Sequence, residues 1–269
     1  MYRAVLILIV LIYSGSFARN KILEVGEELN YKVYYGFIKL GDVKVKLSSR
    51  VTEKKEVYYT SIAYLKSYDG IPFVYVNFYF ESTMTNIKDS IFSKFFSSTE
   101  FKQKSGGESN YSLVESDYYF YYPLQYRVLQ KTINASIVQN DTTWYELMPK
   151  FQDGLSIFYN ARLHSLSPKL YKVPVFISDQ ESSVNYSFNM NEDVVSVNAV
   201  EYDVSVIKIE GTALFKAVFG LTGDFTGWLS NDEYRVPVKA KFNVTIGSIT
   251  LELDSYKKST WIPPRYKGS

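Results

Sequence analysis

Val236-Pro237-Val238-Lys239-Ala240-Lys241-Phe242-Asn243-Val244-Thr245-Ile246-Gly247-Ser248-Ile249-Thr250-Leu251-Glu252-Leu253 is the stretch that decides the fold. Val236, Val238, Ala240, Phe242, Val244 and Ile246 make one set of alternate positions, and Lys239, Lys241, Asn243 and Thr245 make the other. Successive side chains of a β-strand point to opposite faces, so this period describes a strand with one apolar and one wet side. Gly247-Ser248 predicts a type II′ turn, which takes glycine first. Ile249, Leu251 and Leu253 then return on the apolar face, and the stretch predicts an antiparallel hairpin.

The same alternation runs back through the chain. Leu29, Tyr31, Val33 and Tyr35 share one face, and Val43, Val45 and Leu47 another, with Gly36 and Gly41 bracketing the link. Further strands are predicted at Val57–Leu65, Phe73–Thr83, Tyr171–Ile177, Ser183–Met190, Val194–Ala199 and Tyr202–Glu210. Asp69-Gly70-Ile71-Pro72 separates the first two of these as a turn. Phe73 to Phe80 carries large apolar groups on both faces, which suits a strand buried on both sides or lining a cavity. Lys104–Asn110 reads as a flexible loop.

One segment breaks the pattern. Leu155, Phe158, Tyr159, Arg162, Leu163 and Leu166 fall on one helical stripe, which predicts an amphipathic helix from about residue 153 to 166. Asp153 can accept bonds from the open first-turn amides, and Pro168 follows the end. The fold class expected is mainly β: an antiparallel, barrel-like sheet wrapping one central amphipathic helix.

Residues 1–18 predict a secretory leader. Arg3 supplies the positive start, Ala4–Ile12 the apolar core, and Ser14, Gly15, Ser16 and Ala18 the small residues around a cut after Ala18. That core is too short to span a bilayer, which needs roughly 20 residues. The expected organisation is a signal peptide over 1–18, a β-rich domain over 19–255 and an extended, loosely held tail over 256–269. With no cysteine there is neither disulfide nor thiol chemistry, and no residue to carry a lipoprotein anchor. The 30 basic and 28 acidic side chains, Arg3 of the leader among them, leave the chain near neutral. No basic field for nucleic acid is visible. The mature chain is expected to be exported, periplasmic or extracellular, and not membrane-spanning.

Gly26-Glu27-Glu28-Leu29 and Tyr31-Lys32-Val33-Tyr34-Tyr35-Gly36-Phe37-Ile38-Lys39-Leu40-Gly41 resemble the opening of the DUF3108 family of exported bacterial proteins. Gln152-Asp153-Gly154-Leu155-Ser156-Ile157-Phe158-Tyr159 resembles its central helix. Gly227-Trp228-Leu229-Ser230-Asn231-Asp232-Glu233-Tyr234-Arg235-Val236-Pro237-Val238 resembles its late hairpin, and Gly247-Ser248 with the closing strand also match. The resemblance covers roughly residues 24–255, with residues 84–150 departing most. It implies a periplasmic or surface protein whose β-rich, barrel-like sheet wraps a helix, and it implies no activity.

The residues offer little catalytic chemistry. His164 is the single histidine, and no G-x-S-x-G elbow presents a nucleophile. Zinc or copper sites that draw on several His and Cys ligands have no residues to use, and no cofactor is expected. A hydrolase using two carboxylates about 5–10 Å apart remains open. Ser230-Asn231-Asp232 and Asn191-Glu192-Asp193 read as turn chemistry between strands. The run Tyr118-Tyr119-Phe120-Tyr121-Tyr122 places Tyr119 and Tyr121 on one side of a strand and the other three on the opposite side. Aromatic faces stack on sugars and lipid chains, and phenol hydroxyls bond at the rim. Tyr75, Tyr79, Tyr119, Tyr121, Trp228 and Arg235 are therefore the candidate ligand-binding residues, with a lipid, a glycan or an envelope protein as partner. The function expected is non-catalytic binding or scaffolding, and the alternative is a carboxylate-based hydrolase of envelope polysaccharide.

Overall fold

The computed structural model describes residues 21–268 except 73, 88, 104–110, 123, 134–135, 147–149, 216–222 and 245–246. The expected leader over 1–18 and the expected loop Lys104–Asn110 lie outside the described residues. The first strands are β1 (Glu28–Tyr35), β2 (Ile38–Glu53), β3 (Glu56–Ser67), β4 (Asn77–Ile87) and β5 (Ser90–Gln103). They continue with β6 (Tyr111–Tyr121), β7 (Leu124–Ile133) and β8 (Ser136–Glu146). The helix α1 (Ser156–His164) comes next, then β9 (Tyr171–Ile177), β10 (Gln180–Val195), β11 (Val204–Ala213), β12 (Gly223–Ser230), β13 (Pro237–Asn243) and β14 (Ser248–Lys257).

These 14 strands form one sheet in the order β8-β7-β6-β5-β4-β3-β2-β1-β14-β13-β12-β11-β10-β9. Every strand pairing is antiparallel, so two meanders meet where β1 lies beside β14. The apolar alternation sets the faces: Leu29, Tyr31, Val33, Leu47, Val236, Val238 and Leu253 are all buried. On β2, a Cβ at Gly41 would stand 2.2 Å from the Lys66 carbonyl oxygen, so only glycine fits there.

The sheet does not close into a ladder, because β8 and β9 stand at its two ends. The seam between them is filled in two ways. The strand-like segment Phe151–Asp153 takes the edge of β9, with Gln152 N–H donating to the Pro174 carbonyl and Phe176 N–H to the Gln152 carbonyl. On its other side the Phe151 carbonyl accepts from the Ser93 N–H on β5. Phe176 then meets Tyr118, Phe120, Tyr145 and Phe151 edge-on, at ring separations of 5.1–6.4 Å. Edge-to-face contact sets the positive rim of one ring against the negative face of another. The expected barrel-like sheet is thus a large antiparallel sheet that does not close, its seam bridged by the Phe151–Asp153 backbone and by aromatic side chains.

The helix is shorter than the stripe predicts. Asp153 still organises its start, because its Oδ1 accepts from the Leu155 and Ser156 amides at 2.7 and 2.8 Å. Buried positions run around α1: Tyr159 and Leu163, but also Ser156, Asn160, Arg162 and His164. Polar groups can be buried on a helix when each has a partner, and these do. Leu166, expected on the stripe, is exposed beyond the helix end.

Three more expectations change. Ser183–Met190 and part of Val194–Ala199 belong to one strand, β10, and Asn191-Glu192-Asp193 is an irregularity within it, where the register to β11 shifts between Asn189 and Asp193. The Asn189 side chain accepts from the Asn191 N–H, which lets the bulge satisfy itself locally. In the last hairpin Asn243 pairs with Ser248, so the link is residues 244–247 and Gly247, at φ +80°, ends it. The tail is extended but held: Trp261 is buried, its Nε1 donates to Asp232 at 2.8 Å, and Ser205 N–H donates to the Pro264 carbonyl.

Candidate functional site

Three side-by-side rows cross β3 to β8 on the sheet face turned away from Tyr118 and Phe120. Tyr64, Tyr79, Thr99 and Glu115 are successive partners in one row. Glu81, Ser97 and Asp117 form the second, and Thr83, Phe95 and Tyr119 the third. Directly opposed residues share a face, so these residues make one surface. Ser97 and Thr99 are small and buried, forming a floor. Tyr79 and Glu81 rise on one side of it, Glu115 and Asp117 on the other, and Phe95 with Tyr119 closes one end at a ring separation of 5.1 Å.

The groove combines aromatic faces with carboxylates. Tyr64 and Tyr79 tilt together at 5.0 Å, and the Tyr79 hydroxyl donates to Glu81 at 3.1 Å. Burial and the neighbouring Glu81 carboxylate push the Tyr79 phenol up to about 12, so it stays a neutral donor. Burial, reinforced by Asp117, raises the Glu115 carboxyl above the usual range. Asp117 Oδ1 is buried and has no hydrogen-bond partner among the described residues. An acceptor left in that state costs free energy until a donor reaches it.

The six sequence candidates are not one cluster. Tyr79 and Tyr119 lie in the groove, and Tyr121, 64% exposed, continues its face one step further along β6. Trp144 on β8 is also 64% exposed. Tyr75 lies outside these rows, in the link between β3 and β4. Trp228 packs on the core and donates to Asp193 at 3.1 Å. Arg235 has φ 47° in the turn before β13, where Asp232 Oδ1 accepts from the Tyr234 and Arg235 amides and from the Ser230 hydroxyl. Ser230-Asn231-Asp232 is thus turn chemistry, as its composition predicts. Glu81, Phe95, Glu115 and Asp117 were not singled out by the sequence; the alternation Glu115-Ser116-Asp117-Tyr118-Tyr119 was the available signal.

A second polar cluster lies at the end of the sheet where β1 begins. Arg162 donates to both oxygens of Glu27 at 2.6 and 2.8 Å, and to the Tyr234 and Arg235 carbonyls at 3.1 Å. Lys258 adds an ion pair to Glu27 at 2.7 Å and one to Glu24 at 3.2 Å. Burial pushes the Glu27 carboxyl up, but Arg162 and Lys258 outweigh it and hold the group below the usual carboxylate range. The charges balance and the donors are used, so this cluster joins α1 to both ends of the chain. Near it, Asp153 accepts from Ser82 and Ser93 hydroxyls at 2.6 and 2.5 Å.

His164 sits at the helix end and is buried. Its ring stacks on Tyr171 at 3.8 Å, Nδ1 meets the Tyr186 hydroxyl at 2.7 Å, and Nε2 lies 3.2 Å from Ser90 Oγ. Burial lowers its pKa to about 4, so the ring is neutral and a weak base. A tyrosine stands where a Ser-His-Asp triad needs its carboxylate.

Among the described residues no group of three or more His, Cys, Asp and Glu is placed to hold a metal. No helix among them is long and apolar enough to cross a membrane. Open depressions occur beside Phe151, Lys172, Pro174, Glu181 and Leu214, and beside Val200, Tyr202 and Asp203. No candidate ligand-binding residue lines either.

Fold and surface together define a class: a mainly β protein with one large antiparallel sheet that does not close, a short buried helix and an aromatic, acidic face. The chain belongs to the family described as protein of unknown function (DUF3108), which it matches over residues 30–254. Among solved structures it is similar to a β-barrel-like DUF1849 protein from Brucella abortus, with TM-score 0.53 and 10% identity over 87% of this chain and 98% of that one. A protein described as exported, with a YmcC-like fold, from Bacteroides fragilis matches with TM-score 0.34 and 8% identity over 87% and 97% of the two chains. One described as a lipoprotein from Parabacteroides distasonis gives TM-score 0.32 and 8% identity over 87% and 96%. No curated protein has a matching sequence.

Proposed function

We propose that this chain is an exported cell-envelope protein, periplasmic or extracellular, that binds a glycan on the face of β4–β6 and performs no covalent chemistry there. The observation that carries the proposal is Asp117 Oδ1, buried without a donor among the described residues, between the Tyr79 and the Phe95–Tyr119 aromatic faces. Sugars present apolar ring faces for stacking and hydroxyl donors for carboxylates, and this groove offers both partners. The predicted leader supports export. An apolar ligand is served less well, because three carboxylates line the groove.

The raised Glu115 beside Asp117 favours one alternative. A protonated acid and an ionised carboxylate are the parts of a glycoside hydrolase.

An array of envelope oligosaccharides, followed by calorimetric titration of any that are retained, tests both. Binding reduced about tenfold or more in Tyr119→Ala and Asp117→Ala, with the glycan recovered intact, is the expected result. Absence of any retained glycan overturns the binding proposal. Cleavage abolished by Glu115→Gln replaces it with the hydrolase.

A further inference from the structure

The end of the sheet opposite the Glu27–Arg162 cluster carries a different surface. The β1–β2 tip turns at Gly36, whose φ of +56° suits glycine, and presents Phe37 at 94% exposure. Tyr35 and Ile38 flank it, both exposed, and Tyr75 stands exposed in the β3–β4 link at the same end. The tip is not loosely placed. Val33, Leu40 and Ile249 form a small buried cluster beneath it, with Ile71 and Val244 packed on that cluster.

Charge surrounds this apolar tip in a set order. Lys39 lies opposite Tyr34, Tyr34 opposite Thr250, and Thr250 opposite Lys241, a row that crosses four strands behind the tip. Both lysines are exposed. The acids Asp42, Asp254 and Glu252 sit further from the tip and are engaged by Lys32 and Lys239.

We propose that this hairpin end docks on an anionic lipid bilayer, with Phe37 and Ile38 entering the acyl boundary and Lys39 and Lys241 meeting the lipid phosphates. An exposed aromatic at a rigid tip with cations set one row behind matches the layering of a bilayer surface, apolar within and anionic at the headgroups. A protein partner would need a broader complementary surface than one protruding tip supplies. The proposal is independent of the glycan groove, which lies away from this tip.

Flotation of the intact mature protein with phosphatidylcholine vesicles, with and without phosphatidylglycerol, is the test. Wild type is expected to float with the phosphatidylglycerol vesicles and to be released by high salt. Phe37→Ser and Lys39→Glu should each lower the bound fraction about tenfold, whereas Tyr119→Ala should leave it unchanged. Phe37→Trp supplies a second readout, a blue shift of its fluorescence when those vesicles are added. Equal binding by wild type and Phe37→Ser, binding indifferent to phosphatidylglycerol, or no binding would each overturn the proposal.

Discussion

The Arg162 guanidinium on α1 grips the Glu27 carboxylate through two parallel hydrogen bonds of 2.6 and 2.8 Å, and both side chains are fully buried. The bidentate fork fixes the helix against the residues that enter β1. Lys258, just past β14, completes the arrangement from the other end of the chain.

Removing one partner of such a pair leaves a buried charge unmatched, which costs about 3–5 kcal/mol. Glu27→Gln should therefore lower stability by that order in urea unfolding. The double variant Glu27→Leu with Arg162→Met should recover much of the loss, since well-packed apolar groups can replace a buried ion pair. A single variant as stable as wild type would show that the pair is not holding the helix.

His164 should make the fold sensitive to mild acid. Its folded pKa of about 4 lies below the ordinary 6.5, so the unfolded chain binds the extra proton first. Stability is present above pH 6.5 and is lost as pH falls toward 4, by roughly 3 kcal/mol at most. Glu27, held low, adds a loss in the carboxylate range as pH falls, while Asp153, raised by burial, acts in the opposite sense. Denaturation of wild type and His164→Gln across pH 4–7 checks this, and the variant should show the flatter profile.

Phe176 fills the seam between the first and last strands of the sheet order. Phe176→Ala should cost about 3–5 kcal/mol, as large core truncations do. It should also speed exchange of the backbone amides at positions 152 and 176 more than of those in β1. Uniform exchange across both regions would mean that the seam has no separate opening.

Much of the sheet was legible because alternation is a local property. Val43-Lys44-Val45-Lys46-Leu47 shows which face of β2 is buried without reference to any partner. The terminal hairpin was equally plain, although its turn begins earlier than Gly247-Ser248 suggests, since chain reversal depends on register rather than on the glycine alone. What the sequence could not show was the burial of polar residues. Glu27 and Asn160 carry no mark that distinguishes them from surface residues, and Arg162 and Asp153 were marked only by the helical stripe and the helix start, because their partners lie as many as 135 positions away. The groove was half legible: Tyr79 and Tyr119 stood out as aromatics, while Glu115 and Asp117 gain meaning only beside Ser97 and Thr99 of the neighbouring strand.

The pairing of β1 with β14 has a consequence for how the molecule is made. Each other neighbouring pair in the sheet consists of strands consecutive in sequence, so each can zip up soon after synthesis. The β1 edge must wait until almost the whole chain is available, since Leu29 pairs with Tyr256. A closure over that distance is the slow, high-contact-order event of folding. Until it happens β1 is an open template, and a nascent chain held there is the form most exposed to mispairing and to capture by a holding chaperone.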